Sequence, residues 1–232
     1  MNSGEAKLFL GILVVAIVLA AVAIYPAMVA ARNEPQGPVV IRDPIKAKVT
    51  RADLFPDGSW YKGSPRAPYL LVEVADYQCP LCAASVEEVK KILAKHATKL
   101  CYVFHGIQIS RAHLNAPMMA QAAEAAGLQG KFWPMHERLF KSQRLFTGLP
   151  EVDAVDAVNK LAREEGLDMM RFGADFQGDR AVKGQERSAK IAAQADVQTT
   201  PTFFIVPPKG PTLKLQSLRE LIAWFDKAGN LK

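Results

Sequence analysis

The chain has 232 residues, half of them hydrophobic, and carries a formal charge of +6. No DNA- or RNA-reading motif and no array of interleaved aromatic and basic residues accompanies that charge, which excludes nucleic acid as a partner; acidic lipid headgroups near a membrane segment account for the basic residues more simply. With three cysteines and four histidines, no second CxxC, CxxH or HxxxH spacing and no nucleotide-binding motif, neither a metal nor a cofactor is expected.

Leu8 to Ala31 is almost wholly apolar, long enough for a helix across a bilayer core, which needs about 20 such residues. Val29-Ala30-Ala31 resembles a signal-cleavage site, yet the apolar run exceeds the roughly 7 to 15 residues of a signal-peptide core. Residues 1–31 are therefore expected to be an uncleaved membrane anchor, with a signal peptide as the alternative, and Pro26 to kink or end the helix. Flanking charge points the other way from export: Lys7 stands before the segment, and Arg32, Arg42, Lys46 and Lys48 after it, a count that alone leaves the following domain in the cytoplasm. Arg32 to Pro44 is proline-rich and reads as a stiff spacer. Residues 32–63 form the linker and lead-in, and 64–232 have the size of one domain. Lys46 to Phe55 is expected to be a short outer strand, followed by a turn at Pro56-Asp57-Gly58-Ser59.

Tyr69 to Ala75 is a strand-like apolar run that breaks at Asp76-Tyr77-Gln78-Cys79-Pro80-Leu81-Cys82. Pro80 suits the first position of a helix, where its missing N–H has no partner to lose. Cys79 would then sit at the helix N-terminus, where free N–H groups and the dipole stabilise a thiolate. A zinc site would require two more ligands, and Cys101, His96, His105, His113 and His136 do not supply them at workable spacing. A structural disulfide is the other alternative; a redox pair is the reading preferred.

Cys82 to Ala97 is amphipathic, with Val86, Val89, Ile92 and Leu93 on its apolar face and Glu87, Glu88, Lys90, Lys91 and Lys95 in water. Leu100 to Phe104 is expected to pair parallel to the first strand in a right-handed βαβ unit, with Cys101 as a buried, inert thiol. Helical patterning then runs without a strand through Ala116–Ala126, Phe132–Lys141, Val152–Glu165, Met169–Phe176 and Arg180–Gln194. Glycines punctuate it, and Pro150-Glu151 and Asp168 stand at helix starts. Arg180, Lys183, Glu186, Arg187 and Lys190 read as a solvated face, with substrate steering as an alternative. Thr202 to Val206 and Thr212 to Gln216 form an antiparallel hairpin. A closing helix follows, capped by Ser217, with Leu218, Leu221, Ile222 and Phe225 as its apolar stripe.

Four segments together resemble the DsbA-like branch of the thioredoxin superfamily: Gly63 to Pro68, Glu73 to Cys82, Gln129 to Phe140, and Thr199-Thr200-Pro201-Thr202-Phe203-Phe204-Ile205. The resemblance implies an α/β thioredoxin fold with a mixed sheet and an inserted all-helical subdomain at about residues 113–195, and the apolar run at Leu8–Ala31 adds a transmembrane helix ahead of it. The resemblance implies that Cys79 is the exposed nucleophile and Cys82 its resolving partner. Pro201 would be a cis-proline that aims the backbone of Thr200 at the substrate, and Pro80 and Leu81 would lie against substrate. Glu73 resembles the family's buried acid, able to relay a proton to or from Cys82. Asp76 and Tyr77 are expected to shape the loop, and His105, His113 and His136 to act as caps or core residues.

The resemblance also places the domain outside the cytoplasmic membrane, against the charge count. The implied function is disulfide donation to cysteine-containing exported proteins, with a membrane redox partner recycling the pair. Reduction or isomerisation for particular clients, such as cytochrome maturation, and a non-redox peptide-binding chaperone are the alternatives. Leu81 offers no hydrogen-bond donor to a thiolate, so a milder oxidant than the family's strongest members is expected.

Overall fold

A computed structural model describes residues 43–227 and 231. The anchor expected at Leu8–Ala31 and most of the spacer lie outside the described residues. Among the described residues, no helix is long and apolar enough to cross a membrane.

The chain enters through β1 (Ile45–Ala47), α1 (Arg51–Leu54) and β2 (Tyr61–Lys62), and reaches β3 (Tyr69–Ala75), α2 (Pro80–Lys95) and β4 (Leu100–Gly106). Five helices follow: α3 (Ala116–Gly127), α4 (Phe132–Lys141), α5 (Glu151–Glu164), α6 (Met169–Gln177) and α7 (Asp179–Gln194), with a 3₁₀ turn at Gln143–Phe146. The chain then closes through β5 (Thr202–Val206), β6 (Thr212–Leu215) and α8 (Leu218–Asp226). The six strands make one sheet in the order β1-β6-β5-β3-β4-β2. β3 pairs parallel to β4 and antiparallel to β5, so Glu73 stands beside Phe104 on one side and Phe203 on the other. The sheet is mixed, with β3 inside it.

Every residue of β3 is buried, as a continuous apolar run covered on both faces requires. Its alternation separates two cores. Tyr69, Leu71 and Ala75 face the cluster built with α2, α8 and most of the helical insertion. Leu70, Val72 and Val74 face a second cluster with Leu54 of α1 and Ile191 and Ala192 of α7. Cys101 belongs to the second cluster and Cys79 and Cys82 to the first. The sheet thus separates the third thiol from the pair. Burying each large aliphatic side chain contributes about 1.5–3 kcal/mol, so these two layers dominate the stability.

Close approach of the insertion to the sheet depends on two glycines. A Cβ on Gly127 would come within 2.2 Å of the Trp60 ring, and one on Gly184 within 2.2 Å of the Glu124 carboxylate. The space they leave lets the Trp60 indole donate to Glu124 at 2.7 Å, while Arg187 pairs with the same carboxylate at 3.4 Å. The reading of residues 180–190 as a solvated face is corrected at Arg187, which turns inward to Glu124; Arg180, Lys183, Glu186 and Lys190 remain exposed.

Some details differ from expectation. The outer strand stops at Ala47, because Thr50 and Asp53 form a capping box, with Asp53 N–H donating to Thr50 Oγ1 and Thr50 N–H to Asp53, and start α1 instead. The active-site helix begins at Pro80, the residue expected at its first position, and the Cys79 carbonyl accepts from the Cys82 and Ala83 amides. The turn at Gln143–Phe146 was not anticipated, and it proves to matter at the site.

Candidate active site

Cys79 is the N-cap of α2, with extended backbone angles, and Pro80 occupies the first helical turn. In the first turn of α2 the Leu81 amide has no carbonyl partner within the helix, and it and the Cys82 amide reach the Cys79 sulfur. Cys79 is 7% exposed and Cys82 fully buried, and both are free thiols. The hydrogen bond from the Cys82 thiol, joined by Thr200 and by the backbone N–H groups of Cys82 and Leu81, outweighs burial and brings the Cys79 pKa down to about 5. Burial, reinforced by Cys79 itself, pushes the Cys82 thiol well above its ordinary value. At neutral pH the two sulfurs are therefore unequal: Cys79 is a thiolate and Cys82 holds its proton.

The Thr200–Pro201 peptide is cis. Thr200 and Pro201 are buried, and the Thr200 carbonyl oxygen lies 3.4 Å from Cys79 Sγ, placed to accept from the thiol form. Pro80 is exposed and Leu81 is 67% exposed, the apolar side chain next to the nucleophile.

Glu73 is buried, and its charge acts on the Cys82 thiol. Ser85 Oγ donates to its Oε1 at 2.6 Å and the Tyr102 hydroxyl to its Oε2 at 2.6 Å. Burial raises its pKa to about 7, against the pull of these two hydroxyls. A carboxyl that titrates near neutrality beside a resolving thiol is suited to proton transfer.

The loop between β3 and α2 is held from three sides. Asp76, fully buried, accepts from the Gln78 and Ile109 amides at 2.8 and 2.9 Å and sits 2.9 Å from His113 Nδ1. Gln78 donates to the Phe146 carbonyl at 3.1 Å and accepts from the Asn115 amide at 2.7 Å. Gln143, from the 3₁₀ turn, donates to the carbonyls of Tyr77 and Cys79 at 2.8 and 2.9 Å. Tyr77 is buried and bonded to His136 at 3.2 Å. Burial holds the His136 pKa at about 3 and the His105 pKa at about 4, so both imidazoles are neutral parts of the packing. His105 Nε2 lies 2.9 Å from the Leu54 carbonyl, in the second core.

Ser85, Tyr102, Gln143 and Asn115 were not singled out in the sequence. Two of them carried a signal. Ser85 follows Cys82 by three residues and so shares its helix face, and a parallel β4 puts Tyr102 on the Glu73 side of the sheet. For Gln143 and Asn115 no local pattern could have done so. Among the described residues, no group of three or more His, Cys, Asp or Glu side chains is arranged to hold a metal ion.

The thioredoxin family profile matches residues 57–222. The chain belongs to the thioredoxin family. The Na+/H+ antiporter NhaA 1 of Mycolicibacterium vanbaalenii is 31% identical to this thioredoxin-family chain over 185 residues, which cover 78% of the chain and 29% of the antiporter. The chain thus corresponds to a minor part of the curated relatives it matches. Among solved structures, a thioredoxin-like oxidoreductase from Silicibacter pomeroyi DSS-3 aligns with a TM-score of 0.61 at 24% identity, over 78% of this chain and 98% of that one. The thiol-disulfide exchange protein alpha-DsbA2 of Wolbachia pipientis aligns with a TM-score of 0.58 at 18% identity, over 75% and 89% of the two chains. At these identities the likeness establishes a shared fold.

Proposed function

We propose that this thioredoxin-family chain is a thiol:disulfide oxidoreductase that donates disulfides to cysteine-containing exported proteins. The observation that carries the reading is the inequality of the two sulfurs, with Cys79 lowered to about 5 and Cys82 raised. A stabilised Cys79 thiolate favours the reduced form and makes the disulfide form an oxidant.

The reaction starts with the Cys79–Cys82 disulfide. A client thiolate attacks Cys79 Sγ; the bond between the two cysteines breaks, a mixed disulfide forms, and Cys82 leaves and takes up a proton, with Glu73 as its source. A second client thiolate attacks the client sulfur of the mixed disulfide and expels Cys79 as the stable thiolate. The client loses two electrons and the pair gains them, and a membrane redox partner takes them on. Thr200 and Pro201 offer backbone to the client chain, and Leu81 and Pro80 offer an exposed apolar contact beside the sulfur. In the reverse direction, attack by Cys82 requires its proton to leave toward Glu73.

The apolar segment at Leu8–Ala31 supports a tether to the membrane, and the resemblance to exported oxidoreductases, against the flanking charge, supports a catalytic domain on the extracytoplasmic side. A Cys82→Ser variant tests the exchange reading. Cys79 should then accumulate in mixed disulfides with client thiols, resolved on reducing gels, and Cys79→Ser should abolish them. Full activity in a variant lacking both thiols would replace the proposal with a non-redox, peptide-holding role.

A further inference from the structure

Ser85 Oγ lies within hydrogen-bond distance of two acceptors: Glu73 Oε1 at 2.6 Å and the Cys82 carbonyl oxygen at 2.7 Å. A hydroxyl has one proton and two lone pairs, so it can donate to only one of them at a time. When Glu73 is ionised, Ser85 donates to Oε1. When Glu73 is protonated, a fixed serine hydroxyl pointing at Oε1 would meet the acid's own proton head-on. A rotation about the Cβ–Oγ bond removes that conflict. Ser85 then donates to the Cys82 carbonyl, and its freed lone pair accepts the proton of Glu73 along the same 2.6 Å line. Both protonation states are fully bonded with every heavy atom in place, which matters because an unpaired polar group is costly in a buried site.

We propose that Ser85 is a positioning residue for proton transfer, a hydroxyl that reverses between donor and acceptor so that Glu73 can gain and lose its proton without rearrangement of the core. Tyr102 holds the other carboxylate oxygen at 2.6 Å and serves as a donor in both states. The titratable groups facing Glu73 are Tyr102 on β4, Cys82 on α2 and Tyr77 in the loop between β3 and α2. Tyr102 and Tyr77 are pushed well above the ordinary tyrosine value by burial, so both stay neutral through the working range. The change of charge is left to Glu73 and the sulfurs. The placement on α2 is apt: Ser85 lies one turn below Cys82 and its second acceptor is that residue's own carbonyl, so the helix that carries the resolving thiol also carries the hydroxyl that serves its proton partner.

The inference rests on the exchange reading for its consequence, but its test does not depend on that reading. The carboxyl carbon of Glu73 is followed by NMR against pH in the full, reduced chain labelled with [5-¹³C]glutamate, with Glu73→Gln to assign the signal. Wild type should titrate near neutrality. In Ser85→Ala the ionised form loses a charge-assisted bond and the acid form a neutral one, so the midpoint should rise by roughly one pH unit. The pH midpoint of mixed-disulfide resolution by Cys82 should move with it. In a Glu73→Gln background Ser85→Ala should leave the pH profile of resolution unmoved. A Ser85 that only packs α2 would lower stability without shifting either midpoint, and an unshifted Glu73 signal overturns the proposal. If the carboxyl midpoint shifts but no mixed disulfide ever forms, the exchange reading fails while the role of Ser85 toward Glu73 stands.

Discussion

Gln143 Nε2 lies 2.9 Å from the carbonyl oxygen of Cys79 and 2.8 Å from that of Tyr77. The helical insertion thereby holds the backbone of the residue whose sulfur is poised to react, and the same turn receives Gln78 at the Phe146 carbonyl. The insertion is part of the active site's frame as well as a cover beside it. This fixes the Cys79 carbonyl where the Cys82 and Ala83 amides reach it at 3.1 and 3.2 Å, closing the first turn of α2.

Replacing Gln143 with Leu removes both clamps: the Tyr77 carbonyl loses this donor and the Cys79 carbonyl keeps only the amides of its own helix. The expected loss is about 1–2 kcal/mol of stability, together with a rise in the Cys79 pKa as the first turn loosens. Urea denaturation and the pH dependence of thiolate absorbance at 240 nm measure the two effects separately.

The lowered Cys79 pKa has a consequence for the stability of the reduced protein. Its folded value of about 5 lies below the 9.0 of an ordinary cysteine, so the unfolded chain binds more protons between them. Stability from this group is fully present above pH 9, and it falls as pH drops toward and through about 5. Denaturant midpoints of the reduced chain should rise from pH 5 to pH 9 relative to Cys79→Ser, in which this dependence is absent. Alkylation by iodoacetamide should titrate with the same low midpoint.

Leu81 is an exposed residue inside the pair's turn, and its side chain donates nothing to the thiolate. A Leu81→His variant adds a ring N–H and a partial positive charge there. It should raise the reduction potential by about 30 mV or more, the equivalent of a tenfold shift in the exchange equilibrium. An unchanged potential would mean that the intervening residues do not set the oxidising strength.

Cys101 lies fully buried in the second core, and burial pushes its thiol up to about 11. Cys101→Ser should leave exchange kinetics unchanged and cost about 1–3 kcal/mol through an unmatched hydroxyl among Val72, Val103 and Phe204. Ellman's reagent should react with this thiol only as the chain unfolds.

Much of the architecture was legible because local signals agreed with tertiary demands. Phe132–Lys141 and Thr202–Val206 have their expected bounds, and the α5 helix expected over Val152–Glu165 runs Glu151–Glu164. Glycine stops, proline starts and the 3.6-residue apolar period all pointed the same way there. At α1 they did not: a four-residue helix has too few positions to show a period, and its only signature is the Thr50–Asp53 cap. The candidate site divides similarly. Cys79, Cys82, Pro201 and Glu73 stand in contiguous motifs, whereas Gln143 meets Cys79 across 64 residues and Gln78 meets Phe146 across 68. Contacts at that separation are decided by how the insertion packs, and no periodicity in the chain encodes them.

The measurement that bears most directly on disulfide donation is the reduction potential of the Cys79 and Cys82 pair, taken on the full chain equilibrated in glutathione buffers and read by alkylation of the free thiols. The expected value lies well to the oxidising side of thioredoxin's, which is about −270 mV, and requires an oxidase to recharge the pair. A value at or below that of thioredoxin would contradict the account and make the chain a reductase in need of an electron donor.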